Sequence, residues 1–203
     1  MKAILFLLNQ NVLILIPTIV NQYFEEALVT YKRTVSILRQ HYKENSLIVA
    51  KALDKVGLSA TLSPSREDLD WALLALNEAF QIRYHTLGPH HCDVVDTLNN
   101  IAGVYLHQKN YESARDIYTD VLIVRVAIFG RNHPSVAITA QTLGKVFSHL
   151  SDFRNALIYM ELALTIYRGE PMALKDNHPL VGKVLKGMTS VERLMDSFAG
   201  NLT

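Results

Sequence analysis

Cysteine is nearly absent: Cys92 is the only one in 203 residues. An internal disulfide framework is therefore excluded. Glycine and proline are scarce as well, at nine and six, which excludes collagen-like and low-complexity chains. Neither sign of charge dominates. Twenty Lys and Arg face 19 Asp and Glu, for a net charge of +1. Duplex nucleic-acid binding rests on a basic excess, so no nucleic-acid partner is expected. Only 19% of residues are charged while 49% are hydrophobic, the reverse of a disordered tail. Phosphate-cradling Gly-x-Gly loops and zinc-protease His-Glu-x-x-His pairs are missing too.

Charge is also missing locally. Lys2 is the only charge before Glu25, which leaves 22 uncharged positions from Ala3 to Phe24. That length suits a membrane span. Yet Asn9, Gln10 and Asn11 interrupt it, and unpaired amides in hydrocarbon are costly. The run Ala3–Leu8 is short for a signal peptide, and no small-x-small cleavage site follows Val12–Val20. The segment reads as a buried first helix, with a membrane anchor over residues 3–22 as the alternative.

What the chain does have is a repeat. Leu87-Gly88-Pro89-His90-His91 returns 42 positions later as Phe129-Gly130-Arg131-Asn132-His133. The same shift pairs Val94 with Val136, Thr97 with Thr139, Ile101 with Leu143, Tyr111 with Phe153 and Ala114 with Ala156. Backwards it pairs Ala72 with Ala114 and Arg83 with Arg125. A step of 45 carries His133-Pro134 to His178-Pro179, and another reaches back to Ala27 and Val35. The longer steps fall in loops, which absorb insertions cheaply.

Each unit reads as two helices. Leu98, Ile101, Ala102 and Tyr105 form an apolar stripe at helical spacing. Lys109-Asn110 marks a turn, and Tyr111, Ala114, Ile117, Tyr118, Val121 and Leu122 form the second stripe. Gly130 suits a helix C-terminus, and Pro134 and Pro179 suit a first helical turn. Ala102, Gly144, Ala114 and Ala156 are expected where the helices of a unit approach most closely. No segment alternates as a strand does. The units are expected at about 4–42, 46–85, 91–127 and 133–168, with a last helix at about 178–197.

These residues resemble tetratricopeptide repeats, most closely the 42-residue kind of kinesin light chains. The resemblance rests on Leu87 to Ala102, through Thr97-Leu98-Asn99-Asn100, and on Lys109-Asn110-Tyr111-Glu112-Ser113-Ala114-Arg115. It implies an all-α fold, a right-handed α–α superhelix of about four helix-turn-helix units closed by a capping helix. The 203 residues then form a single repeat domain. It also implies a scaffold or adaptor that binds a peptide on the concave side and is not an enzyme.

Apparent chemical motifs dissolve into this repeat. His90-His91-Cys92-Asp93 suggests zinc, but His91, His133 and His178 share one unit position, and Cys92 stands where the others have proline. Consecutive residues also do not easily share one tetrahedral ion. The histidines are expected at helix starts, with no metal and no cofactor. Arg83 and Arg125 recur at one position and read as surface or inter-helix contacts rather than catalytic cations. No general base with an orienting partner accompanies Cys92.

In the family the resemblance names, the first helix of each unit lines the concave side. The groove positions are then Lys51, Asp54, Lys55 and Leu58; Asp96, Asn99, Asn100 and Gly103; Ile138, Gln141, Thr142 and Lys145; and Lys183 and Lys186. Five lysines oppose two aspartates, so a nearly neutral chain concentrates positive charge on one face. Asn and Gln donate and accept at once, which suits the backbone of an extended peptide. The lysines add a preference for an acidic segment. The expected location is cytoplasmic. Two alternatives are a membrane-tethered scaffold and a fragment of a larger signalling or motor-adaptor protein.

Overall fold

A computed structural model describes residues 26, 29–30, 32–43, 45–61 and 65–200. Among them every regular element is a helix. They are α1 (described over 32–41), α2 (Leu47–Ala60), α3 (Arg66–Leu87), α4 (Cys92–His107), α5 (Tyr111–Phe129), α6 (Pro134–His149), α7 (Phe153–Arg168) and α8 (Pro179–Gly200). From residue 46 onward the helix ends lie within three residues of the positions read from the sequence. The expected first helix, 4–20, lies outside the described residues.

The chain divides into two compact units, Met1–Thr86 and Leu87–Thr203. In the second, α4 packs on α5, α5 on α6, α6 on α7 and α7 on α8, with a lighter contact between α6 and α8. Each helix thus buries one stripe against its neighbours in sequence, as helical repeats do. Its core includes Ala102, Ala114, Tyr118, Ala140, Leu143, Ala156, Met160, Tyr167 and Val184.

The turns explain the periodicity. Lys109 and Ser151, 42 residues apart, both take left-handed φ values of 61° and 59°. The next residue's N–H then reaches back to a carbonyl five positions earlier: Asn110 to Tyr105, and Asp152 to Phe147, at 2.9 and 3.0 Å. This closes the last turn of one helix. The side chains of Asn110 and Asp152 accept from Ser113 N and Asn155 N at 3.2 Å and so start the next. One dipeptide therefore ends a helix and begins its partner.

Close approach occurs at small residues, as expected. A Cβ on Gly144 would lie 2.6 Å from Met160 Cγ and 3.0 Å from the Ala156 carbonyl oxygen. In the first unit a Cβ on Gly57 would lie 2.4 Å from Leu76 Cγ. Gly130 takes φ 84° at the end of α5, a conformation that suits glycine.

Candidate interaction surface

The recurring histidines start helices. His91 Nδ1 accepts from Asp93 N at 3.1 Å, His133 Nδ1 from Ser135 N at 3.2 Å, and His178 Nδ1 from Leu180 N at 3.2 Å. Each ring satisfies one of the donors that a helix start leaves without an intrahelical partner. His91, Cys92 and Asp93 do bring three ligand-type atoms within 4.8 Å of one another. The cap already occupies His91 Nδ1, however. Cys92 is exposed at the first position of α4.

The recurring arginines are buried inter-helix contacts, each only 7% exposed. Arg125 on α5 donates from Nη2 to Asp96 Oδ1 on α4 at 2.8 Å, and from Nη1 to Thr139 Oγ1 on α6 at 2.6 Å. It thereby ties three consecutive helices together. In the first unit Arg83 Nη1 faces Asp54 Oδ2 at 3.4 Å. Both pairs are 29 residues apart in sequence, 54 to 83 and 96 to 125. That shared spacing was the sequence signal for the ion pairs.

The pattern breaks one repeat beyond Arg125. Where the 42-residue shift calls for a third arginine, the chain has Tyr167. Its hydroxyl donates to Gln141 Oε1 at 3.4 Å. Burial pushes the Tyr167 phenol upward. Burial also raises Tyr118 to about 12, with Arg125 pulling weakly the other way.

The expected groove residues therefore separate into groups. Gln141 is buried beneath the surface and engaged with Tyr167, so it is not an open groove amide. Asp54 and Asp96 are present but paired with arginines. Asn99 and Asn100 are half-buried on α4. Lys145 on α6 and Lys183 and Lys186 on α8 are exposed, and their ammonium groups have no partner among the described residues. They sit on the two helices that touch directly, α6 and α8. Ile138 is 51% exposed on α6, and the Thr142 hydroxyl bonds back to its carbonyl at 3.0 Å. In the first unit, Lys51 and Lys55 are exposed on α2. Among the described residues no helix is long and apolar enough to cross a membrane. The apolar stretch 3–22 lies outside that search.

Antiparallel helix pairs joined by one repeated turn, with their histidine and arginine contacts recurring in register, define an α-helical repeat protein. Residues 93–169 match the tetratricopeptide repeat family model, and the chain carries tetratricopeptide repeats over that span. Solved structures extend the likeness. A Podosopora anserina putative kinesin light chain with nearly identical TPR-like repeats superposes at TM-score 0.72 with 14% identity, covering 87% of this chain and 81% of that one. A single-substitution variant of that protein gives 0.73 at the same identity and coverage. BtubC (BKLC) from P. vanneervenii gives 0.69 at 16% identity, covering 87% of this chain and 68% of that one. At such identities the likeness establishes the fold alone. No curated protein matches the chain by sequence.

Proposed function

We propose that the chain is a non-catalytic interaction module whose second unit binds an acidic peptide segment across α4, α6 and α8. The tetratricopeptide repeat is a protein-interaction fold, and the ligand class is read from charge. The observation that carries the reading is the asymmetry of pairing. Asp96 is matched by Arg125, whereas Lys145, Lys183 and Lys186 have no carboxylate partner among the described residues. Three uncompensated ammonium groups on the touching helices α6 and α8 attract carboxylates and speed encounter more than they add raw affinity. Asn99 and Asn100 on α4 carry amides, a group that donates and accepts at once and suits an extended backbone. In the first unit Asp54 is likewise matched by Arg83. A cytoplasmic location fits an exposed, unpaired Cys92.

The test replaces Asn99, Asn100 and Lys145 together by Ala. Binding of a fluorescent Glu-rich peptide should weaken about tenfold while the melting temperature stays within a few degrees. Unchanged affinity in a folded triple variant would remove the groove assignment.

A further inference from the structure

The second unit carries a different kind of surface at α5 and α7. Leu122, Ile123 and Val126 of α5, Val136 of α6 and Leu162 of α7 line an open cavity of about 360 Å³, with Arg131 at its rim. Leu122 and Val136 are buried at its floor, while Ile123 is 62% and Leu162 37% exposed, and Ile158, one turn before Leu162, is 50% exposed.

The repeat supplies an internal control for what a merely solvated face looks like. Shifted by 42, Ile123 corresponds to Thr165 and Val126 to Arg168, while Leu162 and Ile158 correspond to Asp120 and Asp116. All four counterparts are polar or charged, and all are exposed. Within the second unit these helical positions are therefore apolar only on the side that carries the cavity. An apolar cluster restricted to one exposed spot marks a contact surface rather than random surface composition.

Arg131 sets the chemistry. It is exposed and has no ion-pair or hydrogen-bond partner among the described residues. The larger cleft of the first unit, about 570 Å³, differs in this respect. There Lys32 lies over the Trp71 ring at 4.1 Å and Arg39 pairs with Glu78, so its cations are engaged internally. A guanidinium left open beside an apolar wall is complementary to a carboxylate next to large aliphatic or aromatic side chains.

We propose that this cavity is a second docking site, separate from the α4–α6–α8 surface. Its occupant is a short segment of another protein that inserts one or two large apolar side chains against Ile123 and Leu162 and sets an Asp or Glu on Arg131. Asp120 and Glu161, exposed on the same helices, disfavour a segment with further acidic residues, so this ligand is mainly apolar with a single carboxylate. That separates it from the Glu-rich ligand proposed for the groove.

A random twelve-residue peptide display library panned on the full chain tests this. A class of selected peptides should carry adjacent large apolar residues beside one acidic residue. Those peptides should lose about tenfold in affinity on Ile123→Asp and on Arg131→Glu, and keep their affinity for the Lys145→Ala/Lys183→Ala/Lys186→Ala chain. Changing the peptide's acid to Lys should recover binding on Arg131→Glu. Ile123 and Arg131 are exposed, so both variants should melt as the wild type does. The proposal is overturned by the lack of such a class, or by peptides of that class binding Ile123→Asp as tightly as wild type. Wild-type self-association that Ile123→Asp abolishes overturns it as well, since a second copy of this chain would then cover the cavity.

Discussion

Arg125 holds Asp96 at 2.8 Å across α5 and α4 although the two differ sharply in exposure, with side chains 9% and 61% accessible. The arginine is the structural partner and the aspartate the surface one. Replacing Arg125 by Ala removes its bonds to Asp96 and Thr139 together with its buried packing, and should destabilise the chain by about 2–4 kcal/mol. Arg125→Lys should recover little, because one ammonium cannot span both acceptors. Asp96→Asn, at the wet end of the pair, should cost about 1 kcal/mol or less. Urea denaturation of the three variants separates these outcomes.

The glycines inside α4 and α6 should respond in opposite ways. Gly144→Ala drives a Cβ to 2.6 Å from Met160 Cγ and 3.0 Å from the Ala156 carbonyl, an overpacking cost of about 1–3 kcal/mol. Gly103→Ala meets only the Tyr118 hydroxyl at 3.6 Å, so helix propensity should dominate and stabilise by about 0.5–1 kcal/mol. Thermal melts of the two variants should shift in opposite directions.

Loss of one histidine cap is the third case. His133 accepts from Ser135 N at 3.2 Å and stacks on Phe129 with ring centroids 4.5 Å apart. His133→Ala should cost about 1–2 kcal/mol, whereas His133→Asn, which restores a capping acceptor, should recover most of that. Chemical denaturation of the pair tells a cap from a packing contact.

Alkaline pH probes the core directly. Burial raises Tyr118 from 10.0 to about 12. The folded value lies above the unfolded one, so the phenol's contribution to stability is complete below pH 10 and is lost as pH rises towards 12. Burial moves Tyr167 in the same direction. Absorbance titration of tyrosinate should show Tyr118→Phe removing a late-titrating group, and that variant should lose less stability between these pH values than the wild type.

The helices and turns were legible because one 42-residue register repeats Ala114 as Ala156, Lys109 as Ser151 and His91 as His133. Each copy meets the same local physics. The surface was only partly legible. A shift by 42 treats Gln141 as the equal of Asn99, yet Gln141 is buried. The replacement of arginine by Tyr167 changes its environment, and helical spacing alone does not register what packs beneath a residue. The pairing of Asp54 and Asp96 was present in the sequence as two equal spacings to Arg83 and Arg125. Spacing does not say which end of such a pair is buried. The apolar spot at Ile123 and Leu162 was not legible, because exposure depends on neighbours from other helices.

Uncompensated lysines on α6 and α8 are proposed to recruit an acidic segment. This is tested most directly by fluorescence anisotropy of a Glu-rich peptide of about ten residues against wild type and the Lys145→Ala/Lys183→Ala/Lys186→Ala chain, from about 50 to about 200 mM salt. Wild-type affinity should fall with salt, and the variant should bind about tenfold more weakly with a flatter salt dependence. Equal affinity and equal salt dependence for the two proteins would contradict the proposal.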